Sequence, residues 1–250
     1  MSALEVLLIV GAGIAAGTIN AVVGSGSLIT FPTLLALGYA PVVANVSNTL
    51  GLVPGSISGA VGYRDKLVGK ARAVVRLAPW CAAGALASGL LLLTLPDAVF
   101  EGVVIALIAL ALVLVLVQPA LTRRLRAGDG VGRHAVWALP VGLLATSMYG
   151  GYFGAAQGVL FLAVLGIFLT DDLQEANAFK NVLAAIVNGT AAILFIAVSE
   201  PNWAVVGLLA GASTVGGQIG ARVGKRLPPA LLRSLIIVIA VVAIARVATR

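Results

Sequence analysis

The sequence predicts an all-α membrane protein made of two oppositely oriented copies of one unit. Three observations carry that prediction. The first is composition. The chain has 250 residues, of which 60% are hydrophobic and 10% charged, where a soluble domain carries roughly 25% charged residues. Residues 80–95, 103–117 and 235–247 hold almost no polar side chain. Exposing such runs to water costs about 25 cal/mol per Å² of apolar surface, so lipid is the solvent that suits them. They are continuous rather than alternating, which selects helices over a barrel. The second observation is a repeat. Asn177 lies 132 positions after Asn45, and the same offset relates Gly158 to Gly26, Gly216 to Gly84 and Pro228 to Pro96. One transmembrane domain is therefore expected over 1–250, with repeats at 1–118 and 133–250 and a linker at 119–132. The third is charge. The segment 64–76 holds five basic residues and its repeat partner 196–208 none, while the acidic turn at Pro96-Asp97 corresponds to a basic turn at Pro228-Pro229. By the positive-inside rule this reversal predicts inverted topology, with both termini outside. Arg246 and Arg250 weakly oppose that placement.

About eight transmembrane helices are expected, the first unit of each repeat being broken or hairpin-like. Residues 3–38 form a glycine-rich apolar stretch. As one helix it would be about 54 Å long against a hydrocarbon core of about 30 Å. A break is predicted near Gly24-Ser25-Gly26, where Asn20, Ser25, Ser27 and Thr30 cluster. Pro41 opens a helix over 42–62, with a kink expected at Pro54-Gly55. A basic loop follows at 64–76, then spans at 77–95 and 99–118, the latter ended by Pro119. The linker carries Arg123, Arg124, Arg126 and Arg133. The second copy runs in the same order: a broken stretch at 135–170, interrupted between Gly150 and Gly158, then helices at 173–198, 203–221 and 234–248.

The net charge of +7 would suggest nucleic acid on a soluble protein, but these basic residues sit in clusters between apolar runs. Cys81, the only cysteine, reads as a small buried hydrophobe. The first residues hold Glu5 and no lysine or arginine, so a cleaved signal peptide is not expected. Three look-alike motifs are set aside. The glycines at 11, 13 and 17 follow no strand and precede no acid at the distance a dinucleotide fold needs. Gly24-Ser25-Gly26 with His134 has nothing that makes the histidine a base for Ser25. The glycines at 51, 55 and 59 are a packing stripe.

Inverted repeats with interrupted helices are the architecture of secondary transporters, in which the halves meet around a site near the bilayer midplane. Broken helix ends expose backbone N–H groups that suit an anion. Lys180 is the one basic residue of sixteen outside the basic segments and the C-terminal end, and a lysine at the centre of a bilayer helix costs about 2.5 kcal/mol or more. It is read either as the positive charge that meets an anionic substrate, or as a partner of Glu175 or Asp172, or as a side chain reaching the interface. The candidate lining is Asn20, Ser25, Asn45, Ser47, Asn48, Gln157, Asn177, Lys180 and Asn181. The asparagines could instead serve in capping and interhelical bonding. Glu175 is the candidate coupling carboxylate, with a first-turn dipole role as the alternative.

These residues resemble one known group. The glycine-rich first helix, Gly24-Ser25-Gly26 before Pro32, and Ala44-Asn45-Val46-Ser47-Asn48-Thr49 ending in Gly62-Tyr63-Arg64 look like the sulfite exporter TauE/SafE family. The second half agrees through Gly154 to Gly158, Glu175-Ala176-Asn177-Ala178-Phe179-Lys180-Asn181, and Gly211 through Gly220-Ala221-Arg222. The resemblance implies a multi-pass plasma (inner) membrane carrier of small anions such as sulfite, sulfonates or related organosulfur compounds. Many members carry threonine-serine where this chain has Ser47-Asn48 and Phe179-Lys180, so the substrate can differ. The expected function is secondary transport of a small anion by alternating access, with the lipid bilayer as a partner and a homo-oligomer left open. No metal, cofactor, nucleic acid or enzymatic activity is expected, and no nucleotide-hydrolysis motif is present. The alternatives are a proton- or cation-coupled carrier centred on Glu175, an intramembrane enzyme, and an accessory membrane subunit.

Overall fold

A computed structural model describes residues 1–126 and 137–223. Among these the chain is helical throughout: α1 (Ala3–Val22), α2 (Ser27–Ala36), α3 (Pro41–Gly62), a 3-10 turn (Arg64–Leu67), α4 (Ala71–Thr94), α5 (Asp97–Arg126), α6 (Ala138–Tyr152), α7 (Gln157–Phe168), α8 (Leu173–Val198) and α9 (Trp203–Val223). Five of the described helices are long and apolar enough to cross a membrane, namely α1, α4, α8, α9 and the Asp97–Val117 part of α5, while α2 and α7 are shorter apolar helices. The chain is thus a multi-pass helical membrane protein.

Local chemistry explains the helix starts. Ser2 and Glu5 form a reciprocal capping box on α1. Pro41 sits at the start of α3, where its missing N–H costs nothing. Asp172 caps α8 by accepting from Gln174 N at 2.8 Å.

The predicted interruptions are present. The first falls between α1 and α2, with Gly24 at φ +83°; the second lies between α6 and α7, with Gly154 at +76° and Ala156 at +60°. Gly24 and Ala156 are 132 positions apart, so both breaks turn through the left-handed region at the same repeat position. Two boundaries differ from expectation. Pro119 does not end α5, which continues to Arg126. The 64–76 segment is not an open loop, since Arg72 and Arg76 already lie on α4. The span expected at 234–248, the turn at Pro228-Pro229, Arg133, His134, Arg246 and Arg250 lie outside the described residues.

Helices related by the 132-residue offset take matching partners. α1 packs mainly on α9, and its repeat equivalent α6 packs on α4, the equivalent of α9. In the same way α3 packs on α9 and α8 on α4, while α3 and α8 pack on each other. Small residues make these crossings close. Gly17 abuts the backbone of Ser213, Gly216 abuts Ile14 and Thr18, and Gly84 abuts Leu144 and Ser147. A side chain at any of them would collide with the facing helix. The stripe at 51 and 55 faces Leu209 and Ser213, as a packing surface should. Cys81 is fully buried in the cluster formed by α4, α6, α7 and α8.

Candidate functional site

The two breaks touch. Gly158 N, on the first turn of α7, donates to Gly24 O in the first break at 3.0 Å. The α-carbons of Gly24 and Gly158 face each other so closely that neither has room for a side chain. Ser25 and Gln157 are the immediate neighbours of this contact, 0% and 3% exposed. Ser25 Oγ and Gln157 Nε2 have no hydrogen-bond partner in the protein. A buried polar atom left unpaired costs about 1–3 kcal/mol, so one on the residue next to each of the two touching glycines needs an explanation; the Gln157 amide lies against Gly150 of α6. On one side the contact is walled by aromatic rings: Phe153 of the second break stacks edge-on against Phe31 of α2, with centroids at 5.1 Å, and Phe100 of α5 packs on Phe31 and Phe153.

Each break leaves a helix C-terminus with free carbonyls, and the other copy supplies the donors. Three residues of α8 converge on the end of α1. Lys180 Nζ donates to Asn20 O at 2.9 Å and Ala21 O at 3.2 Å. Asn177 Nδ2 and Asn181 Nδ2 donate to Ala21 O at 3.2 and 3.1 Å. These side chains recur at i, i+3 and i+4, so they share one helical face. Lys180 is completely buried, so it does not reach the interface. The acids considered as its partners are engaged elsewhere. Glu175 forms an ion pair with Lys70, and Asp172 lies 3.8 Å from Lys66. The cationic end group instead caps a helix whose C-terminus carries partial negative charge. The bond from the backbone N–H of Gln174 does most to hold the Asp172 carboxyl below its ordinary value; desolvation opposes it, and the N–H of Glu175 and the charges of Lys66 and Lys70 add to the lowering.

The end of α6 receives less. Asn45 Nδ2, the repeat equivalent of Asn177, donates to Tyr152 O at 2.9 Å. Tyr152 is itself the repeat equivalent of Asn20. Asn48, the equivalent of Lys180, turns to α2 instead: its Nδ2 donates to Ser27 Oγ at 3.1 Å and its Oδ1 accepts from Thr30. Asn45 Oδ1 and Asn177 Oδ1 join Ser25 and Gln157 among the buried atoms without partners.

Eight of the nine predicted lining residues therefore lie on the two breaks or on the helix faces that hold them. Ser47 does not. Its Oγ accepts from Asn202 N at 2.9 Å, tying α3 to the turn before α9. Two polar residues outside the predicted lining lie next to it, away from the contact of the breaks. Asn20 Nδ2 donates to Ser56 Oγ at 3.2 Å, and Asn188 Nδ2 reaches the same oxygen at 3.4 Å. Ser56 and Asn188 are themselves 132 positions apart. The repeat offset was the signal that could have found them.

The model of one family, described as the sulfite exporter TauE/SafE, matches residues 9–247. A relative in Escherichia coli strain K12, the probable membrane transporter protein YfcA, is 28% identical over 235 residues, covering 91% of this chain and 83% of that protein. A probable membrane transporter protein of Haemophilus influenzae is 26% identical over 229 residues, with 90% and 88% covered. The probable membrane transporter protein ORF9 of a Sinorhizobium species is 27% identical over 233 residues, with 90% and 85% covered. No solved structure matches the chain significantly.

Proposed function

This chain belongs to the sulfite exporter TauE/SafE family of membrane transporters, and we propose that it moves a small oxyanion, sulfite or an organic sulfonate, bound where its two helix breaks meet. The observation that carries this reading is the pair of buried, unpartnered groups beside the Gly24–Gly158 contact, Gln157 Nε2 and Ser25 Oγ. The amide is a donor and the hydroxyl can donate. The first turns of α2 and α7 begin at Ser27 and Gln157; their N–H groups are largely taken by backbone carbonyls, Gly158 N by Gly24 O among them, and it is the positive ends of the two helix dipoles that favour negative charge at the same place. Lys180 stands behind the site on the end of α1. There it supports binding through its field, while its hydrogen bonds stay with the backbone.

Alternating access follows from the same arrangement. The two copies exchange partners across the molecule, and the reversed charge of their loops supports opposite orientation in the plasma membrane, with the N-terminus outside. Rocking one copy on the other would open the contact of the breaks to each side in turn. Glu175, in the first turn of α8 and paired with Lys70, supports an anchoring role better than a coupling one.

The test is flux into vesicles reconstituted with the full chain, using labelled sulfite and sulfoacetate. Gln157→Ala and Ser25→Ala are each expected to lower flux about tenfold or more, the effect of losing one hydrogen bond to a charged ligand. Thermal stability in detergent should hold for Ser25→Ala, whose hydroxyl has no protein partner to lose; Gln157→Met, which keeps the volume packed on Gly150, separates lost binding from lost packing. Wild-type flux of both anions in both variants would remove the site from the breaks.

A further inference from the structure

Asn20, Ser56 and Asn188 form a polar cluster from three helices in the middle of the bundle. Ser56 is 3% exposed, whereas both asparagines are only half-buried. Its hydroxyl donates to Leu52 O at 3.0 Å and accepts from both amides. One donor and two acceptor sites are all a hydroxyl has, so Ser56 is fully used. Each amide, by contrast, keeps its second N–H and its oxygen clear of Ser56. Three further facts connect the cluster to the breaks. Gly26 of the first break lies against Asn20, since a Cβ added there would come within 3.1 Å of Asn20 Cβ. Lys180 holds the carbonyl of Asn20 itself. And Asn188 continues the α8 face that carries Asn177 and Asn181, about 10 Å along the axis from Asn181. An asparagine on a membrane helix is costly when it faces lipid; here its amide is directed to Ser56 of the facing helix.

We propose that Asn20 and Asn188 form a second subsite, which binds a polar group at the far end of an organic anion whose charged head sits at the breaks. Asn188 is the specificity-determining residue and Ser56 the positioning residue that sets both amides. The inference rests on the proposed binding of an anion at the breaks. Amides that offer both an N–H and a carbonyl suit a carboxylate, hydroxyl or amide end, whereas a one-ended oxyanion such as sulfite has nothing to place there.

Competition against sulfite flux in reconstituted vesicles tests it, with methanesulfonate as the one-ended competitor and sulfoacetate and isethionate as the two-ended ones. In the wild type the two-ended anions should compete better than methanesulfonate. Asn188→Ala should erase that advantage, raising the inhibition constant of the two-ended anions about tenfold while sulfite flux and methanesulfonate inhibition stay put. Ser56→Ala should do the same and Ser56→Thr, which keeps the hydroxyl, should restore it. If Asn188→Ala fails to yield folded protein, Asn188→Ser carries the same expectation. Equal competition by one- and two-ended anions in the wild type overturns the inference, as does an unchanged preference in the Asn188 variants. Neither result touches the proposal for the breaks, which stands or falls on sulfite flux in the Gln157 and Ser25 variants.

Discussion

The two helix breaks are one turn used twice, yet the molecule treats them differently. Gly24 and Ala156 occupy the same repeat position and share the left-handed conformation. Gly24 has the backbone of Gly158 against it, while Ala156 has room for its methyl and is completely buried. The helix ends differ more. The end of α1 receives a lysine and two amides from α8, and the end of α6 receives the single amide of Asn45 from α3. Even the supporting helices start differently: α8 is capped by Asp172, whereas its equivalent position before α3 is Ala40, with no side-chain cap. Helices that correspond at the 132-residue offset can thus differ by a single positive charge, placed on one side of the contact between the breaks. A symmetric pair of lysines would double the burial cost and repel across that contact.

The comparison can be broken most severely at the turn itself. Gly24→Ala places a methyl against the Gly158 backbone and an L-residue at φ +83°. Strain and overpacking together should cost about 3 kcal/mol or more, read as a large fall in thermal midpoint and in folded yield. Next comes Asn48→Lys, which gives α3 the lysine of α8. Position 48 faces the hydroxyls of Ser27 and Thr30 in the first turn of α2, the helix end whose dipole opposes a cation, so the charge should cost about 2.5 kcal/mol or more and expression should drop. Near-normal stability of this variant would show that the asymmetry is not set by the partners each helix end offers. Lys180→Met should cost about 2 kcal/mol through lost charge-assisted bonds. Unlike Asn48→Lys it should leave a folded protein with reduced anion flux, measured on the same vesicles.

Asp172→Ala makes α8 begin as α3 does, and loss of the cap should cost about 1 kcal/mol. Its pH dependence has a definite sign. The folded-state carboxyl lies below its ordinary 3.8. Its contribution is therefore complete above that value and disappears as pH falls through the lower folded-state value. Wild type and variant should differ in thermal midpoint at neutral pH and converge in strong acid. The smallest effect is expected from Ala156→Gly. Relief of the left-handed strain and loss of a buried methyl oppose each other, so the change should stay within about 1 kcal/mol, against the collapse predicted for the reverse exchange at position 24.

Much of this was legible before any coordinates. The breaks were visible because stretches as long as 3–38 and 135–170 cannot be single helices in a bilayer, and the polar residues near them stood out against the apolar sequence, Asn45 and Asn177 at the repeat offset. The role of Lys180 was not legible. The acids near it in sequence, Asp172 and Glu175, were the obvious partners, but the basic segment around Lys66 and Lys70 folds back over the start of α8 and takes them. Ser47 was grouped with Asn48 because they are adjacent, yet neighbours on a helix point about 100° apart, and Ser47 meets Asn202 instead.

By itself the sequence determined that this protein is helical, lies in lipid, and interrupts two long apolar stretches that stand 132 residues apart. Those properties depend on local counts of apolar residues, prolines and glycines, and on one spacing. Only the tertiary structure decided that Gly24 meets Gly158, that Lys180 ends on the carbonyls of Asn20 and Ala21, and that Ser56 joins Asn20 to Asn188. Such partners are chosen by which helix crosses which, and at what height. Close packing of small residues from both copies sets that crossing, and no stretch of one copy encodes it alone.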